Sequence, residues 1–469
     1  MAGSTHCLYV FLHGELVGRA VRSLRGAVHF GYLDDYPLSA APVSLSLPVG
    51  QHSRLDISPW IDGLLPDNPR TRSRWMQELE ATSTAPFDLL STQAGLECAG
   101  AVQFHPDPVL PDPQLAVLSR VSDSELAAML RLIAQDAEDA PTEGLGELRL
   151  SLPGAQPKMA LRLTVDGWHL PTGSLATTHI LKPQRGHLNS ALRDSIAVNE
   201  HLCQTAAGTL GLEAARTSLA AFEDEICLVA ERFDRHERES EVHRSHFEDL
   251  CQALGLRPDL KYQSDGGPTP EAVIGLLRHE TGSDDPRKFF LSVFYNWLIG
   301  NADGHSKNYG VLLDGRVPRL APLYDLSSAV AYVTPDAQTM RPAMRFNEPS
   351  PTTVQQWSQI AARLRVDVAA DELHDMAQDM PNALESAAAQ CPEWALGTAQ
   401  FVCERVVAHA RQAVRGNNAI LAFSGRERDA SLLAAAAPPE IETCGETVKR
   451  TRKPCLLRPG HKGRHRSLL

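Results

Sequence analysis

The sequence lacks three things that would each have fixed its class at once. It has no disulfide framework: its nine cysteines, at 7, 98, 203, 227, 251, 391, 403, 444 and 455, are odd in number and widely scattered, unlike the dense, paired spacing of small secreted scaffolds. It has no long apolar run. The strongest, FFLSVFYNWLIG, is 12 residues, short of the roughly 20 that span a bilayer. The opening MAGSTHCLYVFLHGE has no basic stretch ahead of an apolar core. It also lacks bulk positive charge, since the net charge is −12, which argues against a body that binds nucleic acid by electrostatics alone. These absences lead us to expect a cytoplasmic protein with no membrane partner. No internal repeat is visible.

At 469 residues the chain is too long for one core, and two to four domains are expected. Residues 1–110 read as a small mixed domain, with strands at LYVFLHGELVGRA, AVHFGYL and VSLSLPVG and a helix starting near Arg70 after the loop LLPDNP. A proline-rich connector follows at 106–117, then SDSELAAMLRLIAQ as a helix capped by Ser122 or Ser124. That helix opens a second region, 120–240, in which strand signals return from 145 to 235 (LRLSL, KMALRLTV, THILKP, SLAAFEDEICLVAERF), interrupted by one helix that Gly208 or Gly211 closes. Residues 241–420 read as helical except for a hairpin turning at Asp314-Gly315. A linker spans 421–440, and 441–469 is a tail with eight Lys/Arg against two Glu, net +6.

The densest chemistry is GNADGHSKNYG, from Gly300. It follows DPRKFFLSVFYNWLIG, a helix with Asp285 as N-cap, Pro286 in its first turn, an apolar face of Phe290, Phe294, Trp297 and Leu298, and Gly300 as its end. Asp303 and Asn308 are five apart, the spacing of a protein-kinase catalytic loop, in which an Asp accepts the substrate hydroxyl proton and an Asn holds Mg²⁺. Either residue alone reads more readily as a helix cap or a turn residue. Asp325 lies 17 residues beyond Asn308, where the hairpin can return it as a second metal carboxylate. Upstream, Lys182 in THILKPQ is a candidate phosphate contact and Glu200, 18 residues on, its helical partner; a surface Lys and an exposed helix Glu are the plainer readings of each. SLPGAQPKMAL is a weak candidate for a phosphate-covering loop, since it has one Gly, not three.

Taken together, SLPGAQPKMAL, HILKP, AERFDR, HFEDLCQALGLRPDLKYQSDGGPT, WLIGNADGHSKNYGVLL and PLYDLSS resemble the HipA family of serine/threonine kinases, toxins of type II toxin–antitoxin modules. FLHGELVGRA, SLSLPV, GLLPDN and ECAGAVQF resemble that family's N-terminal domain, so the likeness runs over roughly 8–410. The resemblance implies an α+β, bilobal protein-kinase-like fold: a β-rich N-lobe, an all-helical C-lobe, the small mixed domain ahead and the basic tail behind. It implies ATP and Mg²⁺ between the lobes, with Asp303 as base, Asn308 and Asp325 as Mg²⁺ ligands, and Lys182 on the phosphates. Ser151, Gly154, Ala155, Gln156 and Lys158 then form the phosphate loop, Glu231 and Phe233 the adenine hinge through their backbone, and His305 and Lys307 steady the catalytic loop or touch phosphate. A purely structural, ion-paired strand end remains the other reading of ERFDR. Ser151 is implied as an autophosphorylation site, whose added charge would expel the loop from the ATP site.

The implied partners are a helix-turn-helix antitoxin of the HipB kind, operator DNA through that complex, and a protein substrate, possible targets including an aminoacyl-tRNA synthetase. Two alternatives stay open: a catalytically weak corepressor, or a transferase of AMP to proteins. The tail lies outside the resemblance. Its Cys444, Cys455, His461 and His465 suit a zinc site by the spacing of the two His, while its charge suits nucleic acid or an acidic partner.

Overall fold

The computed structural model describes residues 6–50, 55–135, 154, 156–184, 196–238, 241–315, 317–332, 342–346, 351 and 353–414. The expected strand LRLSL, the linker, the basic tail with its four candidate ligands, and Ser151 and Ala155 lie outside these residues.

The N-terminal region folds as an antiparallel sheet in the order β4-β3-β2-β1-β5, from β1 (Cys7–Leu12), β2 (Glu15–Arg22), β3 (Val28–Tyr32), β4 (Leu55–Asp56) and β5 (Val102–His105). Three short helices, α1 (Ser58–Gly63), α2 (Pro69–Glu78) and α3 (Pro86–Leu90), cover it. Alternation along β1 and β3 buries Leu8, Val10 and Phe30 against Trp60, Ile61 and Phe87. Helix α2 begins where its cap chemistry dictates, with the Asn68 side chain accepting from Arg70 N–H and Pro69 in the first turn.

VSLSLPVG is not a strand. Ser44 and Leu47 make only an isolated bridge. The polar groups of this stretch turn instead toward a distant segment: Leu45 N–H donates to Glu248 Oε1 at 2.9 Å and Ser46 Oγ to the Gln252 carbonyl at 2.8 Å. The alternation of SLSL therefore serves docking rather than a ladder.

The second sheet has six strands in the order β10-β11-β9-β7-β8-β6: β6 (Leu118–Arg120), β7 (Met159–Thr164), β8 (Gly167–Pro171), β9 (His179–Pro183), β10 (Thr217–Phe222) and β11 (Glu225–Glu231). Helix α4 (Asp123–Gln135) packs on it. Its capping box is reciprocal, Ser122 Oγ accepting from Glu125 N–H while Glu125 Oε2 accepts from Ser122 N–H. Helix α5 (Ile196–Thr209) closes at Gly211, whose φ of +82° is the left-handed conformation a C-terminal glycine takes at least cost. A small hairpin, β12 (Arg235–Arg238) and β13 (Glu241–Arg244), follows.

The remaining region is mainly helical: α6 (Leu250–Ala253), α7 (Pro270–Glu280), α8 (Asp285–Leu298), α9 (Val354–Leu364), α10 (Ala370–Ala388) and α11 (Leu396–Val414). It is not all-helical, because β14 (Phe247–Asp249), β15 (Gly310–Leu312) and β16 (Arg319–Leu320) form a three-stranded sheet. The expected hairpin is there as β15 and β16. The strand β14, only three residues long, was too short to show a period.

Helix α8 is buried on nearly all sides, with Phe290, Phe294 and Trp297 gathered around Trp357. Asp285 does not cap it. Asp284 holds that position without a side-chain capping bond, and buried Asp285 accepts from Leu320 N–H at 2.8 Å, fixing β16. At the other end Gly300 has φ +65°; its N–H donates to the Trp297 carbonyl and Asn301 N–H to that of Asn296. This double closure turns the chain out of the helix at the start of the polar loop.

Candidate active site

A cleft opens between the six-stranded sheet and the helical region, reached also by the N-terminal domain. Its lining brings together Lys182 and Glu231 from the sheet, Asp303, Asn308 and Asp325 from the helical side, and Asp67 from the N-terminal domain.

The loop after α8 is held by its own backbone and by short polar side chains. Asp303 N–H donates to Asn301 Oδ1 at 2.9 Å, and Asn301 is itself anchored on Asn296. His305 N–H returns to the Asp303 carbonyl at 2.8 Å, and Asn308 Nδ2 donates to the same oxygen at 3.2 Å. Asp303 is exposed, and its carboxylate accepts from the Tyr262 hydroxyl at 2.8 Å. The Lys261 carbonyl accepts from both Ser306 N–H and Ser306 Oγ, strapping segment 261–262 onto the loop.

Lys182 stands on β9, inside the sheet, and reaches across the cleft. It donates to Glu200 Oε1 on α5 at 2.6 Å and also to Asp325 Oδ1. Burial alone would lower the Lys182 pKa, but Asp325 and then Glu200 outweigh it and hold the ammonium above its ordinary value. Burial likewise pushes Asp325 up, yet Lys182 and next Lys158 keep its carboxyl well below the usual carboxylate range. Glu200 is raised by burial, with Lys182 opposing and the Asp325 charge adding to the rise. Asp325 sits at φ +55°. A non-glycine residue in that left-handed region carries backbone strain, and such strain gathers at functional sites.

Of the expected phosphate loop, Gly154, Gln156 and Lys158 line the cleft. Gly154 has φ +110°, and a Cβ there would come within 2.7 Å of Lys158 Nζ. Burial lowers Lys158 to about 8, Asp325 acting against the fall and Lys182 with it. His305 is lowered to about 4 by burial and by Lys261, so its imidazole is neutral at pH 7. Its buried Nδ1 has no partner among the described residues.

Glu231 and Phe233 both line the cleft, Phe233 packed edge-on to Phe247. The rest of ERFDR is the ion-paired strand end that was its other reading. Arg232 and Arg235 donate to Glu97 Oε1 at 2.9 and 3.0 Å, and both bond Asp234. Arg244 pairs with Glu97 Oε2. Burial would raise Glu97, but Arg235, Arg244 and Arg232 together bring it to about 2. Glu97 belongs to the N-terminal region, so this network fastens that region to the strand end beside the cleft.

Four residues of the site escaped sequence reasoning: Asp67, Asp249, Lys261 and Tyr262. Asp67 pairs with Lys307 at 2.7 Å and with Lys261 at 2.9 Å. Tyr262 bonds Asp303. Asp249, at the end of β14, uses Oδ1 to cap α6 while its buried Oδ2 has no partner among the described residues; burial raises it to about 6, against Lys307. A compositional signal was present. The chain has 37 arginines but eight lysines, and of the five lysines before residue 449, four line the cleft: Lys158, Lys182, Lys261 and Lys307. A flexible point charge is what a phosphate site uses where Arg's rigid fork is unwanted.

Residues 150–388 match the family model described as the HipA-like C-terminal domain, and residues 8–105 match that of the HipA N-terminal domain. The chain is 36% identical over 341 residues to "Putative kinase Y4mE" of Sinorhizobium fredii, covering 69% of this chain and 78% of that protein. It is 30% identical over 332 residues to the serine/threonine-protein kinase toxin HipA of Shewanella oneidensis, covering 65% and 70%. It also superimposes on a chain of the Shewanella oneidensis MR-1 complex of HipA, HipB and operator DNA, with a TM-score of 0.71, 23% identity, and coverage of 88% and 99%. That last likeness is one of fold. Among the described residues, no helix is long and apolar enough to cross a membrane.

Proposed function

Since the chain belongs to the HipA family, we propose that it is an ATP- and Mg²⁺-dependent serine/threonine protein kinase acting as a toxin. One observation carries this reading: Lys182 paired with Glu200, Asp325 within reach of that lysine, and the Asp303–Asn308 loop all face one cleft. Phosphoryl transfer asks for little covalent chemistry and much positioning, and these are the groups it needs.

The donor set suits magnesium. Magnesium takes one or two protein oxygens and completes its shell with phosphate and water. Asp325 is held ionised, and the Asn308 amide nitrogen is engaged by the Asp303 carbonyl, leaving its oxygen as the donor. When bound, the ion neutralises phosphate charge. Lys182, oriented by Glu200, would contact the phosphates together with Gly154, Gln156 and Lys158, which line the same cleft. The backbone of Glu231 and Phe233 receives the adenine. Asp303 takes the proton of a substrate hydroxyl as that oxygen bonds to the γ-phosphorus; the bond from this phosphorus to the β–γ bridging oxygen breaks and ADP leaves. Neutral His305 offers a hydrogen bond and no charge at pH 7.

The protein substrate, for which an aminoacyl-tRNA synthetase is the candidate, would be inactivated by the phosphate. By analogy with the Shewanella oneidensis complex, a helix-turn-helix antitoxin would bind the chain and connect it to operator DNA. Ser151 is the proposed site of self-phosphorylation. Incubation with Mg-ATP is expected to place phosphate on Ser151, read by mass spectrometry; phosphate found only on other residues contradicts that assignment.

A further inference from the structure

The loop LLPDNP of the N-terminal domain reaches the cleft, and its acidic residue is the only described carboxylate that holds two of the cleft lysines away from Lys182. Asp67 Oδ1 lies 2.7 Å from Lys307 Nζ, inside the loop that carries Asp303 and Asn308. Its Oδ2 lies 2.9 Å from Lys261 Nζ, next to Tyr262, which bonds Asp303. Its backbone N–H donates to the Gly154 carbonyl at 3.2 Å, and Pro66 and Gly154 form a parallel bridge. One residue thus ties together the phosphate loop, the catalytic loop and the tyrosine segment, from 240 residues away from Lys307 in sequence.

The local sequence explains how it gets there. Leu64 and Leu65 are fully buried in the N-terminal core, Pro66 extends the chain, and Asn68 with Pro69 starts α2 immediately after. Asp67 is therefore presented on a short rigid turn between two anchored segments. Its own burial works against its charge, but Lys307 and Lys261 outweigh that and bring it to about 2, so it is ionised at any working pH. Two ammonium groups facing one phosphate-binding cleft repel each other; a fixed carboxylate between them holds both in place.

We propose that Asp67 is a positioning residue for phosphoryl transfer: the N-terminal domain completes the active site by fixing Lys307 and Lys261 and by fastening the Gly154 loop. This rests on the kinase reading above, and the role of the N-terminal domain is then catalytic support rather than attachment alone.

The test uses the full chain and two independent readouts. First, the rate of lysine labelling by an amine-reactive reagent is followed by mass spectrometry without nucleotide. Asp67→Asn is expected to raise labelling of Lys307 and Lys261 at least fivefold, with Lys288 unchanged. Second, phosphate transfer from γ-labelled ATP is compared in Asp67→Asn, Asp67→Glu, Lys307→Ala and the double variant Asp67→Asn/Lys307→Ala. The expected result is a fall in kcat of at least tenfold for Asp67→Asn, with KM for ATP within threefold, partial recovery in Asp67→Glu, and less than a threefold further loss when Asp67→Asn is added to Lys307→Ala. Unchanged labelling overturns the proposal. So does transfer at or above the wild-type rate in Asp67→Asn, or a loss that multiplies fully in the double variant. If wild type transfers no phosphate, the kinase reading fails, and the labelling result alone still decides whether Asp67 fixes the two lysines.

Discussion

Asp303→Ala is expected to lower transfer of γ-phosphate by about 10²- to 10⁴-fold, the range for removal of a positioned general base. The variant should fold as wild type does. Asp303 is exposed, and its carboxylate's partner is the Tyr262 hydroxyl, which gains water in its place; surface changes of this kind shift stability by about 0.5 kcal/mol or less. Thermal unfolding and nucleotide binding therefore serve as controls. A variant that keeps more than about a third of wild-type transfer while remaining folded removes Asp303 from the role assigned to it, since a tenfold effect is only about 1.4 kcal/mol of barrier.

Glu97→Ala should give the largest loss of stability. Glu97, Arg232, Arg235 and Arg244 are all buried or nearly so, and deleting the carboxylate leaves three guanidinium groups facing one another with Asp234 as the remaining anion. Breaking a buried charge network from one side costs about 3–5 kcal/mol. Denaturant unfolding of the variant measures it, and a loss under about 1 kcal/mol would show that water or Asp234 replaces the lost charge. The same network has a pH signature. The folded-state pKa of Glu97 lies at about 2, below the ordinary glutamate value of 4.5. The folded state thus binds this proton less readily than the unfolded state does. Its contribution is complete above pH 4.5 and disappears as pH falls towards 2, and wild type should lose stability over that window more steeply than Glu97→Ala does. Because Arg232 lies between Glu231 and Phe233, the variant should also bind ATP more weakly.

How much of this was legible in the sequence follows from the range of each interaction. The loop from Gly300 was readable because most of its parts are local: a helix, a glycine that ends it, and the bonds of Asp303 N–H and Asn308 Nδ2, which stay inside the loop. Lys182 and Glu200 were readable only alongside the other motifs: each alone reads as a surface residue, yet both are buried. Asp67 was not. Its partners lie 194 and 240 residues away, and nothing in LLPDNP says which cations its turn will meet. Asp249 and Tyr262 were hidden for the same reason, one at the end of a three-residue strand and one in a loop. The misread stretch VSLSLPVG shows the converse error. Its alternation was real, but Glu248 and Gln252 took up its polar groups where another strand was expected. Asp285 was placed at the right helix end with the wrong task, because local capping rules cannot see the Leu320 N–H that claims it.

Two labels compared on one protein separate phosphoryl transfer from its alternatives. Wild type and Asp303→Ala are incubated with Mg²⁺ and either γ-labelled or α-labelled ATP, together with a cell lysate, and protein-bound label is measured. Wild type should label protein from the γ-position alone, and Asp303→Ala should lose nearly all of that label. Protein labelled from the α-position would mean transfer of AMP, and no label from either position would leave the cleft a binding site without phosphoryl transfer; each result contradicts the central claim.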